Sequence, residues 1–220
     1  MKNDNTTFHP INALEKKIFR DKEFQMAIKT GKSRKFHREG SVKNHIINIL
    51  EYIDNKYKSA TEYDNLRLLV ILHDVGKYAS VEKRQDILLP KMPKTEQNKF
   101  IISSRTFAKK YSIPKSVQSY LKEFKYTPKH AYVSYLFSKK FTKNKRILKI
   151  IRYHDAGIDF KLIFHRTGKY DVKKFKDIYS KLDLDLYLMF VDCDRLGQES
   201  DEIPWIKEQL QMHKLFRQCL

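Results

Sequence analysis

The chain has 220 residues, and its 45 Lys and Arg against 26 Asp and Glu give a formal net charge of +19. Hydrophobic residues at 41% and aromatics at 13% are too many for a disordered chain, while six Gly and six Pro supply few of the tight turns an all-β fold needs. Two cysteines, Cys193 and Cys219, make no disulfide framework, and no apolar run approaches the ~20 residues of a membrane span.

The opening MKNDNTTFHPIN lacks the apolar stretch of a secretory signal, so a cytoplasmic location without membrane contact is expected. From there the pattern reads helical nearly throughout. Ile11 to Lys29 carries Leu14, Ile18, Phe19 and Met26 at loosely helical spacing and ends before Gly31. Ser41 is placed to cap a helix through Lys58, with Val42, Ile46, Ile49 and Ile53 on one face. Asp64 opens the next, whose block Leu66, Leu68, Leu69, Val70, Ile71, Leu72 is apolar on too wide an arc for a surface helix; it meets Gly76. Residues 79–95, with Pro90 and Pro93, read as an irregular stretch, a flap or a tether. Helices are expected over 96–111, 114–124, 129–141 and 144–155. Residues 157–170 are ambiguous, and helices resume near 171–180, 183–196 and 203–219. The expectation is an all-α fold: one helical domain over 31–198, a helical extension over 1–30, and an amphipathic helix over 199–220 that packs on the domain or forms a homodimer.

The charge is clustered. Lys29 to Arg38 holds five cations and no acid, and Lys139 to Arg152 holds seven and no acid. Nucleic acid is the first candidate for such a polycation, with Phe36, Phe137, Phe141 and Tyr153 available to stack on bases. The competing reading is compositional drift, since Lys outnumbers Arg 34 to 11, and Lys is the weaker choice for planar, bidentate phosphate recognition.

Histidine placement carries more information. His73-Asp74 ends the most apolar helix, in LLVILHDVGK, where a buried, unpaired carboxylate costs several kcal/mol. His45 lies in NHIINIL, His130 opens HAYVSYLF, His154 ends ILKIIRYH, and Asp194 lies in YLMFVDCD. Each alone reads as a hydrogen-bonded core residue. Together they are five helices each delivering a His or Asp from an inward face, which is how metal sites are built in helical bundles. Imidazole and carboxylate ligands suit Mn, Fe, Co, Ni or Zn, with Mg also possible, as one ion or two. His9, His165 and His213 fit no such pattern.

At these residues the chain resembles the HD superfamily of metal-dependent phosphohydrolases, over roughly residues 34 to 198. HREGSVKNH resembles the entry segment of HD domains in CCA-adding enzymes and their free-standing relatives, including dinucleoside polyphosphate hydrolases. LLVILHDVGK is the most specific piece. KHAYVSYLF resembles the family's GHE-type helix, with Lys129 and Ala131 in place of Gly and Glu, and VDCDRLG resembles the closing DxxG, which favours Asp194 over Asp192. The resemblance implies an HD-domain helical bundle with His45, His73, Asp74 and Asp194 as core metal ligands. It implies that His130 and His154 hold a second metal or the substrate phosphate. Asp74 would bridge metals or orient water, and Lys77 would face the transferred phosphoryl group. Lys77 also reads as a cation satisfying helix carbonyls. His37, Arg38 and Lys43 are candidate phosphate contacts.

The expected function is therefore hydrolysis of a phosphoester or phosphoanhydride of a phosphorylated small molecule or nucleotide. A nuclease or RNA-end phosphatase is the alternative, and a non-catalytic binding module the third.

Overall fold

The computed structural model describes residues 8–30, 41–78, 130–197 and 202–215. Every regular element among them is helical, and none is a strand. The irregular stretch expected at 79–95, the helices expected at 96–111 and 114–124, and most of the first basic run lie outside the described residues.

Side-chain caps set most of the helix starts. Asn12 accepts from the Glu15 N–H to open α1 (Ala13–Arg20). Asp21 accepts from the N–H groups of Glu23 and Phe24 to open α2 (Lys22–Ala27). The one helix expected over 11–29 is therefore two, because Asp21 is extended and serves as a cap rather than a helical residue. Ser41 caps α3 (Val42–Lys56) as expected, bonding the Asn44 N–H at 3.2 Å. The apolar helix α4 (Tyr63–His73) passes into a 3-10 turn (Val75–Tyr78).

After the undescribed segment come α5 (His130–Ser138) and α6 (Lys145–Tyr153), the latter capped by Asn144. The helix expected over 144–155 stops at Tyr153, and the ambiguous stretch resolves as α7 (Ala156–Thr167), closed by Gly168 at φ +66°. Asp171 caps α8 (Val172–Tyr179) and Asp183 caps α9 (Leu184–Asp194). The final helix, α10 (Glu202–Met212), is shorter than the expected 203–219.

α4 is the axis of the bundle, touching α3, α5, α6 and α9. Its Leu66, Leu69, Val70, Ile71 and Leu72 are all 0% exposed, and full burial of each such side chain contributes roughly 1.5–3 kcal/mol. Arg67 on the same helix is equally buried. It donates to Glu15 Oε1 at 2.9 Å, Glu15 Oε2 at 3.1 Å and Asp54 Oδ1 at 2.5 Å. This pairing ties α1 to α3 and α4, and Ile18, Phe24 and Ala27 of the first two helices join the common core. At the other end of the chain Trp205, Ile206 and Leu210 of α10 enter that core too. Gly157 of α7 leaves so little room that a Cβ there would lie 2.6 Å from Ile206.

Candidate metal centre

The end of α4 carries His73 and Asp74 into the interior, each 1% exposed. The 3-10 turn after them presses against the first turn of α5. A Cβ on Gly76 would lie 2.1 Å from the His130 carbonyl oxygen, and the Gly76 N–H donates to Ser134 Oγ at 2.8 Å. That approach, open only to glycine, brings His130 to the Asp74 carboxylate. α3 supplies His45, the α6–α7 junction supplies His154, and the last turn of α9 supplies Asp194.

The six residues form two adjoining groups. In the first, His45, His73 and Asp194 converge, with Asp194 Oδ1 3.0 Å from His45 Nε2 and 3.2 Å from His73 Nε2. In the second, Asp74, His130 and His154 converge, with Asp74 Oδ1 3.2 Å and 3.7 Å from the two Nε2 atoms, which are 3.0 Å from each other. Asp74 Oδ2 faces the first group, 3.3 Å from His73 Nε2 and 3.8 Å from His45 Nε2. One carboxylate thus presents an oxygen to each group.

The donor chemistry fits a cation. The His73 Nδ1–H donates to Val70 O at 2.8 Å and the His154 Nδ1–H to Ile151 O at 2.9 Å. In the neutral rings this leaves the Nε2 lone pairs aimed inward. His73 Nε2 lies 3.2 Å from Asp194 Oδ1 and 3.3 Å from Asp74 Oδ2, and Asp74 Oδ1 lies 3.2 Å from His130 Nε2, so buried imidazole and carboxylate lone pairs face one another, which costs free energy unless a cation or a proton sits in each group. Atoms held about 2.1 Å from one ion are separated by about 3.0 Å at octahedral and 3.4 Å at tetrahedral angles. The 3.0 and 3.2 Å edges from Asp194 Oδ1 to the two imidazoles of the first group fall in that range, and the 3.0 to 3.7 Å edges of the second bracket it.

The electrostatics run the same way. Burial alone would raise the Asp74 and Asp194 carboxyls, yet the surrounding imidazoles hold both well below the usual carboxylate range. Burial would lower His73, but the two carboxylates outweigh it and push the ring up to about 10. His130 goes down, burial winning over its acidic neighbours. Each carboxylate and the imidazole beside it favour the charged form of the other. Lys77 does the same from one side: its ammonium contacts Asp74 Oδ2 directly, and that carboxylate raises its pKa against the effect of burial. Its ammonium therefore lies on the carboxylate of the centre.

Asp192, the fallback for the last acidic position, points elsewhere. Its Oδ2 accepts from Tyr57 OH at 2.8 Å, Tyr52 OH at 2.9 Å and Lys56 Nζ at 2.9 Å, pinning α9 to α3. Cys193 between the two aspartates is 0% exposed, and burial pushes its thiol up to about 12, which makes it unreactive. Lys43 stands in the first turn of α3, two residues before His45, with its N–H bonded to Ile28 O. His37 and Arg38 lie outside the described residues.

Sequence reasoning missed Asp155. Its carboxylate lies 3.3 Å from His130 Nε2 and 3.5 Å from His154 Nε2. The signal was a second His-Asp dipeptide at 154–155.

Comparisons with protein-family models, with curated proteins and with solved structures found no match to this chain.

Proposed function

We propose that this chain is a metal-dependent phosphohydrolase of the HD superfamily, acting on a nucleotide-type phosphoester or phosphoanhydride. Two features support the reading. The order His, His-Asp, His, His, Asp along the sequence resembles that family, and the same six residues converge as two adjoining donor groups sharing Asp74. The observation that carries it is the Asp74 carboxylate, 1% exposed, which presents Oδ2 to His73 and His45 and Oδ1 to His130 and His154.

A pair of divalent ions, when bound, supplies Lewis acidity toward phosphoryl oxygens and lowers the pKa of water. The chain's own residues do the rest. Val70 O and Ile151 O fix the tautomer and the aim of His73 and His154. Asp74 holds both groups in register, and Lys77 places a cation, 32% exposed, at the edge where an anionic substrate approaches.

The test is phosphate release from nucleoside mono-, di- and triphosphates and dinucleoside polyphosphates with added Mn²⁺. Turnover by the natural chain, with loss of at least about a thousandfold in Asp74→Asn at unchanged helical content, is expected. A metal-loaded protein that turns over no member of the panel would overturn the hydrolase reading.

A further inference from the structure

The second basic run does not spread evenly over the surface. Arg146 is taken up by Glu62 and Asp183, and Lys140 by Glu23. Lys139, Lys149 and Arg152 are exposed and form no ion pair among the described residues. Lys149 and Arg152 follow each other by three positions on α6, while Tyr132, Tyr135 and Lys139 follow by three and four along α5 and its end. The two helices pack side by side.

The aromatic rings organise around the arginine. Tyr132 and Tyr135 are parallel within 11° at 5.7 Å, and the Arg152 guanidinium lies 5.1 Å from the Tyr132 ring, 5.4 Å from Tyr135 and 5.3 Å from Tyr153. Lys139 Nζ lies 5.7 Å from the Tyr135 ring. All three tyrosines are half-buried, so each ring is held by packing yet partly open to solvent. Phe137 and Phe141, which the sequence offered as stacking residues, do not contribute: Phe137 is 2% exposed and Phe141 packs against the core. Tyr132 and Tyr153 share their helix segments with His130 and His154, but side chains one or two positions apart on a helix point to different faces, so the platform is a surface of its own.

We infer that this face of α5 and α6 binds single-stranded nucleic acid, bases stacking on the tyrosines and phosphates meeting Lys139, Lys149 and Arg152. Flat rings among unpaired cations suit a strand whose bases are free to stack; a duplex hides its base faces and offers phosphates alone. The inference goes beyond the proposed function by giving the chain a single-strand binding surface separate from the His and Asp groups. The binding itself needs no metal.

The experiment is fluorescence anisotropy of a labelled mixed-sequence 12-nucleotide single strand with the full chain in EDTA, compared with the matching duplex and with heparin as a polyanion without bases. The single strand is expected to bind at least about tenfold tighter than the duplex, and Tyr135→Ala to weaken it about tenfold without changing heparin binding. Arg152→Ala, an exposed substitution that leaves the fold in place, is expected to weaken binding and reduce the slope of log affinity against log salt by about 0.7. Equal binding of all three polyanions, or equal losses in Arg152→Ala and in Lys173→Ala, an exposed lysine on α8, would overturn the inference. Because EDTA removes metal, failure here is distinct from failure of the hydrolase reading, which the Mn²⁺ assay decides.

Discussion

Replacing Gly76 with alanine places a methyl group 2.1 Å from the His130 carbonyl oxygen, 2.8 Å from Val133 Cβ and 2.9 Å from the His130 carbonyl carbon. Two of these neighbours are backbone, so no side-chain rotation relieves the clash. A normal contact requires the first turn of α5 and the 3-10 turn to separate by about 1 Å, and overpacking of this kind costs roughly 1–3 kcal/mol. The more telling effect is local. Metal ligands tolerate displacements of only about 0.2 Å, so a shift of α5 takes His130 out of the second group while His45, His73 and Asp194 stay in place. Gly76→Ala is expected to unfold at lower denaturant and to lose one class of bound metal, its affinity falling at least about 10- to 100-fold, with the other class retained. Isothermal titration with Mn²⁺ beside urea denaturation reads both. Unchanged metal binding together with an unchanged midpoint would refute the reasoning, because the close approach of turn and helix would then not exist.

Arg67→Ala leaves the buried Glu15 carboxylate without its cation and is expected to cost about 3–5 kcal/mol in urea unfolding; a loss below about 1 kcal/mol would show that α1 is not tied to the core in this way. At the other end, burial and then Lys176 lower the His213 pKa below its usual 6.5. The folded chain therefore binds that proton less readily than the unfolded chain, and stability is lost as pH falls through this range. His213 Nε2 lies 2.7 Å from Tyr170 OH, whose ring is 5.7 Å from that of Trp205, the one tryptophan. Unfolding followed by tryptophan fluorescence is expected to show the natural chain losing stability relative to His213→Gln below pH 6.5. Parallel pH profiles for the two proteins would contradict this.

Much of the architecture was legible because it is written locally. Ser41 announces α3, and the continuous apolar block of α4 announces an enclosed helix, because capping and periodicity act within a turn or two. The break between the first two helices was missed although its signal is local. Asp21 looks like one more helical residue until its side chain is seen capping the next helix. Other features depend on partners far along the chain: Arg67 is held by Glu15, 52 residues away, and Asp192, the fallback to Asp194, is taken up by Tyr52, Lys56 and Tyr57 at the end of α3. The centre itself was visible as residue types at helix ends. Its grouping into two sets, with Asp155 beside the second, depends on how α5 and α6 close on α4.

The central claim is that the two donor groups hold metal. The most direct measurement is metal equivalents per chain, by elemental analysis after Mn²⁺ loading and desalting, for the natural chain, His73→Ala, Asp194→Asn and Asp192→Asn. Two equivalents in the natural chain and in Asp192→Asn, with at least one lost in His73→Ala and in Asp194→Asn, is the predicted result. A natural chain that retains no metal, or a His73→Ala chain that retains as much, would contradict it.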